Sequence, residues 1–227
     1  MYIYIMPAEI KNFNTNEYTD EFIRSLYTKK WQDYHYTHFR PKNKNFARIL
    51  LKMYDWDSVV DFGCSIGSFL EVFLEANKKI KGYEYCYQES LESIRRVNNL
   101  EQYTEFGDVS TELQAGLFDA SVSIEVAEHI PTEYSESLVK NLVNSTKDII
   151  IFTAATPDQG GTGHINCQKR DFWINLFEQQ NCYYDKEETN KIKQNCIPTK
   201  VTELNTMPHI WAHVYKNLMI FRKKDTK

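Results

Sequence analysis

Two glycines and two acidic residues in this sequence have the types and the spacing needed to hold a nucleotide-like cofactor. Gly63 and Gly67 let the backbone turn sharply and approach a ligand without a side chain in the way. Glu84 lies about twenty positions further on, where a carboxylate can accept hydrogen bonds from both hydroxyls of a ribose. Asp61 precedes the first glycine, and an acidic group there suits a cofactor with a positive charge better than one with a pyrophosphate.

The elements that must position these residues are a buried strand and a helix. The stretch 59–62, apolar except for Asp61, predicts the strand, and a second short strand is expected to end at Glu84. After Gly67, apolar residues recur with helical spacing, so the amino-terminal N–H groups of a helix should point at whatever lies over the turn. A strand, a glycine turn and a helix in this order form the cofactor-binding unit of a Rossmann-like fold.

The turn has three other interpretations. The pattern Gly63-x-Ser65-x-Gly67 also matches the nucleophile elbow of a hydrolase, with Ser65 as the nucleophile, but it leaves Asp61 and Glu84 without a role. A nicotinamide dehydrogenase is a second possibility, although the third glycine of the dinucleotide fingerprint is missing. The third is a turn that binds no ligand.

The sequence resembles the class I S-adenosylmethionine-dependent methyltransferases over roughly residues 55 to 155. The resemblance rests on Val59 to Gly67, Glu84, Asp108, and Phe118 to Pro131. It implies that the turn from Asp61 to Gly67, with Cys64 and Ser65 in it, wraps the amino acid part of the cofactor. It also implies that Glu84 binds the ribose and that Asp108 lies near the adenine. Ser65 stands where the family usually has glycine, and Asp108 has an alternative role as a turn residue.

A second motif follows the predicted fourth strand, Phe118 to Ile124. The sequence Glu125-Val126-Ala127-Glu128-His129-Ile130-Pro131 resembles the segment after strand four of many small-molecule methyltransferases. Ligands of open α/β sheets lie at the carboxyl ends of the strands. We therefore expect Glu125 to contact the cofactor, and Glu128 and His129 to lie near its methyl group and the acceptor. The alternative is that Glu128 and His129 only begin the next helix.

A glycine-rich loop follows the fifth strand, predicted at Asp148 to Thr153. Its sequence Gly163-His164-Ile165-Asn166, before a helix that contains Phe172 and Trp173, resembles a loop of bacterial and viral methyltransferases associated with sugars and surface glycans. A hydroxyl acceptor must lose its proton as it is methylated, and an imidazole suits that task at neutral pH. His164 is therefore the first candidate for the general base and His129 the second. A purely structural role of His164 in the loop is the alternative.

The predicted fold is α/β: a Rossmann-like, seven-stranded, mostly parallel sheet with helices on both faces, an antiparallel last strand and an amino-terminal helical cap. The cap is expected at residues 1–45 and the methyltransferase domain at 46–227. Within the cap, a helix from Asp20 to Tyr36 should be separated by Pro41 from a second helix that begins at Phe46. The last strand is predicted at Tyr215 to Arg222.

Composition limits the classes of function. A length of 227 residues suits one domain, and a net charge of −4 argues against general duplex nucleic-acid binding. The sequence has no apolar stretch long enough for a membrane span and no signal-peptide pattern. Five scattered cysteines without a C-x-x-C pair suit reduced thiols in the cytosol, so a cytoplasmic location is expected. His209 and His213 could share a helix face, but without a third ligand nearby no metal site is predicted.

The sequence thus favours an S-adenosylmethionine-dependent methyltransferase that acts on a small polar acceptor, with a hydroxyl of a sugar or glycan precursor preferred. One alternative is an N- or O-methyltransferase that acts on another metabolite or on a protein. Alternatives of another class are a cofactor-binding module without transfer activity and a hydrolase that depends on Ser65. Nothing in the sequence indicates the oligomeric state.

Overall fold

The computed structural model describes residues 20–97, 99–196 and 212–224 of the chain. Within these residues, one sheet of seven strands is surrounded by nine α-helices. The strands are β1 (Ser58–Phe62), β2 (Lys79–Glu84), β3 (Thr104–Phe106), β4 (Phe118–Ile124), β5 (Thr146–Thr153), β6 (Cys182–Tyr184) and β7 (Met219–Lys223). The helices are α1 (Asp20–Leu26), α2 (Lys29–Tyr34), α3 (Arg40–Met53), α4 (Leu70–Glu75), α5 (Tyr87–Arg95), α6 (Ser135–Asn144), α7 (Arg170–Gln179), α8 (Lys186–Asn195) and α9 (Ala212–Asn217).

The strand order β3-β2-β1-β4-β5-β7-β6 confirms the predicted fold class. The first five strands in this order pair in parallel, whereas β7 is antiparallel to both β5 and β6. The chain adds strands outward from β1 to β3 and then returns to place β4 on the other side of β1. The carboxyl ends of β1 and β4 therefore flank a topological switch point, which is where open α/β sheets bind their ligands.

Alternating apolar residues of the strands build a core on each face of the sheet. In β1, Val59 packs on one face, and Val60 and Phe62 pack on the other. The first face is covered by α3, α4, α5, α8 and α9, and the second by α6 and α7. Both faces of the central strands are thus buried, as the continuous apolar runs of their sequences indicate.

The amino-terminal helices differ from the sequence prediction at Pro41. Residues 29–53 form one continuous helical segment, because a π-helical turn, His35–Phe39, joins α2 to α3. The N–H of Arg40 donates to the carbonyl of His35, five residues back. Proline lacks an N–H and crowds the carbonyl four residues before it, and the wider π turn accommodates this without ending the helix. Position 45, the expected end of the cap, therefore lies inside α3.

The last strand begins later than the sequence predicts. Residues 215–217 belong to α9, and β7 begins only at Met219. Because β7 is antiparallel, its amino end pairs with the carboxyl end of β5, where Met219 faces Phe152. The residues just before β7 consequently lie at the same edge of the sheet as the loops that follow β1, β4 and β5.

Helices α1 and α2 are attached to α5 by charged and polar side chains. Arg24 pairs with Glu89 at 3.1 Å and Lys29 pairs with Glu92 at 2.8 Å. The buried Gln32 donates to the hydroxyl of Ser90 at 3.2 Å. These contacts fix the amino-terminal helices beside the edge of the sheet that carries the predicted site.

Two further findings concern the chain as a whole. No disulfide joins the five cysteines, and all except Cys167 are buried. Within the described residues, no helix combines the length and the apolar composition needed to cross a membrane.

Candidate functional site

The glycine turn after β1 is held by the backbone of β2. The N–H groups of Gly63 and Cys64 both donate to the carbonyl of Tyr83, at 2.8 and 3.0 Å. Gly63 and Gly67 have φ values of +86° and +71°, a left-handed conformation that favours glycine. Ser65 has a φ of +51°, so it adopts the kind of conformation for which the related motif uses glycine.

The carboxylate of Glu84 braces this turn from the end of β2. Its two oxygens accept the N–H groups of Ser65 at 2.6 Å and Cys86 at 2.9 Å. Glu84 is only 6% exposed, and this burial raises the pKa of its carboxyl group, although the two N–H donors oppose the rise. A carboxylate has about four acceptor sites, so two backbone donors leave capacity for the hydroxyls of a ribose.

Asp61 is the second buried carboxyl group of the turn and is 4% exposed. Burial, followed by the nearby charge of Glu84, raises the pKa of Asp61 to about 8. Burial thus raises the pKa of both acidic side chains beside the turn. A positively charged ligand would favour the ionised form of Asp61, because an opposite charge nearby stabilises a carboxylate.

The turn after β1 touches the segment after β4. A Cβ atom added to Gly63 would lie 2.4 Å from Cγ2 of Val126, so the glycine is needed for this close approach. Val126 lies between Glu125 and Glu128. The two motifs that the sequence identifies separately are therefore in direct contact at the switch point of the sheet.

Glu125 is fixed by side chains that sequence reasoning missed. Its carboxylate accepts the amide N–H groups of Gln159 at 2.9 Å and of Asn217 at 3.0 Å. Asn217 also donates to the side-chain carbonyl of Gln159 at 2.8 Å. Asn217 is separated from Glu125 by 92 positions, so no local spacing links the two residues. The sequence signal that could have found Asn217 is the expected antiparallel last strand. A residue just before such a strand must lie at the edge of the sheet where β4 and β5 end.

Glu128 is a fully buried acidic residue that lies near Glu125 and whose carboxyl oxygens make no hydrogen bond within the described residues. It lies in a 3₁₀ turn, Ala127–His129, and its exposure is 0%. Burial raises the pKa of Glu128 well above its ordinary value, and the nearby Glu125 adds to this effect. An unpartnered buried carboxyl group is costly and calls for a specific role.

His129 and His164, the two predicted candidates for the base, lie together. Their rings meet edge to face with centroids 4.8 Å apart. Burial and then the neighbouring His164 lower the pKa of His129 to about 3, while burial lowers the pKa of His164. A third imidazole, His35 of the π-helical turn, has its pKa lowered to about 3 by burial and by His129. At neutral pH these imidazoles are therefore uncharged and able to accept a proton or a metal ion.

The loop that carries His164 is anchored to the 3₁₀ turn by Asn166, which the sequence did not single out as a site residue. The carbonyl of Glu128 accepts the N–H groups of Ile165 and Asn166, at 2.8 and 3.0 Å. The buried side chain of Asn166 donates to the carbonyl of Ala127 at 3.2 Å and to the hydroxyl of Ser135 at 2.9 Å. These bonds hold the loop against the residues next to His129.

The remaining candidates lie apart from this cluster. Asp108 accepts the N–H and the hydroxyl of Ser110, at 2.9 and 2.6 Å, which is the turn role that the sequence left open. Cys64 is buried, and burial followed by the charge of Asp61 raises the pKa of its thiol well above the ordinary value. The hydroxyl oxygen of Ser65 is buried and has no hydrogen-bond partner in the described part of the chain. His209 lies outside the described residues, and His213 is exposed on α9.

Comparison with solved structures identifies the fold. The magnesium protoporphyrin IX methyltransferase of Synechocystis, solved with bound S-adenosylhomocysteine, superposes with a TM-score of 0.61 at 12% identity, over 91% of this chain and 100% of that one. An O-methyltransferase from a trans-AT PKS multienzyme of Brevibacillus brevis, also in complex with S-adenosylhomocysteine, gives 0.55 at 16% identity, over 95% and 81%. DesVI of Streptomyces venezuelae gives 0.61 at 11% identity, over 85% and 96%.

No protein-family model matches the sequence, and no curated protein sequence matches it significantly. The fold is accordingly that of the class I, S-adenosylmethionine-dependent methyltransferases, and the similarity is one of structure at low sequence identity.

Proposed function

We propose that the protein is an S-adenosylmethionine-dependent methyltransferase that methylates a hydroxyl group of a small polar acceptor, a sugar or glycan precursor. The observation that supports this most is the contact between Gly63 and Val126. Through it, the buried carboxyl groups of Asp61 and Glu84 and the imidazoles of His129 and His164 belong to one edge of the sheet. The first pair suits a cofactor with a ribose and positive charge, and the second suits an acceptor that must lose a proton.

When bound, S-adenosylmethionine supplies a methyl group on a positively charged sulfur. Glu84 would accept the ribose hydroxyls while it keeps its bonds to the turn. Asp61, Gly63, Cys64, Ser65 and Gly67 would surround the amino acid part, and the ionised form of Asp61 would be stabilised by its positive charge. Asp108 would lie near the adenine, and Glu125 would approach the reacting end from β4.

Transfer to a hydroxyl needs alignment and removal of a proton. S-adenosylmethionine would supply the methyl group, and the residues at this edge of the sheet would align the acceptor hydroxyl with it. The hydroxyl proton passes to His164, or to His129, and then to solvent. Burial lowers the pKa of both imidazoles, so their neutral form is present at physiological pH, and the pKa of about 3 makes His129 a weak base, which favours His164 for this role. Helices α1 and α2, which belong to the proposed cap at residues 1–45, would exclude water from above.

The proposal is tested first by calorimetric binding of S-adenosylmethionine and S-adenosylhomocysteine to the chain and to Glu84→Gln. Loss of the charge and of one acceptor oxygen should weaken binding by at least about 10-fold. Glu105→Gln, an exposed carboxylate on the neighbouring β3, is the matched control and should bind as wild type does. No binding by the wild-type chain, or equal binding by Glu84→Gln, would refute the assignment.

The acceptor is tested by incubating the chain with isotopically labelled cofactor and a panel of nucleotide sugars. Formation of an O-methyl ether, with turnover reduced at least about 100-fold in His164→Gln while cofactor affinity is retained, is the expected result. Methylation of an amine would contradict the choice of a hydroxyl, since an amine needs only to arrive unprotonated. The hydrolase alternative receives no support from the geometry, because the hydroxyl of Ser65 has no hydrogen-bond partner among the described residues.

A further inference from the structure

We propose that Glu128, His129 and His164 together form a binding site for one divalent first-row transition metal ion, of which Zn²⁺ is the best match. One ligand atom from each side chain lies within 4.8 Å of the other two. This set of two imidazoles and one carboxylate is the one found in several catalytic zinc and non-haem iron sites. The proposal concerns an ion that the sequence did not predict, because His209 and His213 were the pair weighed as metal ligands and His129 and His164 were weighed as bases.

The unpartnered carboxylate of Glu128 is the observation that points to a ligand. This side chain is completely buried, and both of its oxygens lack hydrogen bonds within the described residues. Ordinary folding would not favour such a group, since a buried carboxylate without a partner is strongly unfavourable. A cation bound between Glu128 and the two imidazoles would supply the missing partner, and a buried polar group of this kind is usually paired or bound to metal.

Hydrogen bonds outside the three ligands orient them for this role. Nδ1 of His129 lies 3.1 Å from the carbonyl oxygen of Gly163, which can only accept, so this nitrogen carries the proton. The lone pair of the ring is therefore on Nε2, the tautomer that binds metals. A backbone carbonyl that fixes the tautomer of a ligating histidine is the usual support of such sites. The carbonyl of Glu128 in turn holds the loop of His164 through Ile165 and Asn166.

The three ligand atoms must approach one another when the ion binds. With metal–ligand distances near 2.1 Å and tetrahedral angles, they would lie about 3.4 Å apart. In this structure the ligand atoms lie at most 4.8 Å from one another. Each pair must therefore move closer by at most somewhat over 1 Å when the ion binds. His164 is the ligand best able to move, because its loop contains Gly160, Gly161 and Gly163. A Cβ on Gly161 would lie 2.3 Å from Nε2 of His164, so the loop packs closely on this ring.

Three protein ligands leave a position for an acceptor hydroxyl. A divalent ion acidifies an oxygen that it binds, so the hydroxyl could lose its proton to solvent near pH 7. The two imidazoles would then hold the ion rather than accept the proton. This role rests on the proposed function, whereas binding of the ion does not and can be measured without cofactor or acceptor.

The test uses the full chain, freed of metal by a chelator and then titrated with Zn²⁺, Co²⁺ and Mg²⁺ by calorimetry. One equivalent of Zn²⁺ should bind, Mg²⁺ should bind far more weakly, and Co²⁺ should give the visible absorption of a four- or five-coordinate site. Glu128→Gln and His164→Gln should each weaken Zn²⁺ binding by at least about 100-fold. His38→Gln, an exposed histidine of the π-helical turn, is the control and should keep wild-type affinity.

Hydrogen exchange gives a second measurement that does not depend on the variants. Bound Zn²⁺ should slow amide exchange in residues 160–166, while exchange on the exposed segment 112–117 should not change. Failure of wild type to bind Zn²⁺, equal binding by Glu128→Gln and wild type, or Mg²⁺ binding as tight as that of Zn²⁺ would each overturn the site. Binding of S-adenosylmethionine to the metal-free chain is measured by calorimetry in a separate experiment. Loss of that binding alone would refute the proposed function and leave the metal site standing.

Discussion

Replacing Gly63 with alanine should lower the free energy of unfolding by about 2–5 kcal/mol. Two terms contribute. The φ of +86° is left-handed, and an added Cβ there costs about 1–2 kcal/mol. The same Cβ would lie 2.4 and 2.8 Å from the two Cγ atoms of Val126, and overpacking of this kind costs about 1–3 kcal/mol. The sum is large relative to the stability of an ordinary domain.

The chain offers controls that separate the two terms. Gly116 has a similar φ of +81°, but no heavy atom of the described residues lies within 4 Å of an added Cβ, so Gly116→Ala should show the cost of the conformation alone. Gly160 has no left-handed φ and open space around it, so Gly160→Ala should change stability by less than about 0.5 kcal/mol. In the Gly63→Ala background, Val126→Ala removes both overlapping atoms and should recover part of the loss, which a double-mutant cycle measures.

Urea unfolding of each variant, followed by far-ultraviolet circular dichroism, gives the free energies, provided that the m-value stays unchanged. The reasoning predicts that Gly63→Ala loses at least about 1 kcal/mol more than Gly116→Ala. Equal losses would show that the turn does not pack on Val126 as closely as the structure has it. A coupling energy of zero between positions 63 and 126 would lead to the same conclusion. Either result would remove the contact on which the joined site depends.

Three further predictions concern the same edge of the sheet. Ser65→Gly should leave stability and cofactor affinity unchanged or raised, measured by urea unfolding and calorimetry, because a φ of +51° and a buried unpartnered hydroxyl both disfavour serine. In the folded protein the pKa of Asp61 is raised from 3.8 to about 8. The stability that protonated Asp61 contributes is fully present below the lower value and is lost as the pH rises to the higher one. Wild type should therefore lose up to about 1.4 kcal/mol per pH unit more than Asp61→Asn between pH 5 and 8, and parallel unfolding curves would refute this. Asn166→Ala should cost about 1–3 kcal/mol and speed hydrogen exchange in residues 160–166, since it leaves buried partners unsatisfied; unchanged exchange would show that Asn166 does not anchor the loop.

The sequence predicted those parts of the molecule that depend on short-range patterns. The turn from Asp61 to Gly67 and the carboxylate of Glu84 could be identified because glycine conformation and strand length act over about twenty residues. The helix through Pro41 could not, because proline usually ends a helix and the π-helical turn before it, His35–Phe39, has no signature in the spacing of the sequence. The partners of Glu125 were missed for a related reason: Asn217 comes close only through the antiparallel insertion of β7.

The two halves of the candidate site are held by different kinds of contact, and this difference has a consequence for specificity. The turn that would bind the cofactor is fixed by backbone N–H groups that donate to Tyr83 and Glu84, so most side chains in it can change without loss of the cradle. The half with His129 and His164 depends on side chains from distant parts of the chain, above all Asn166. Loops on a rigid scaffold vary more readily than the scaffold itself. Substitutions in residues 160–168 should therefore alter acceptor binding while cofactor affinity stays constant, which is how one fold can serve different acceptors.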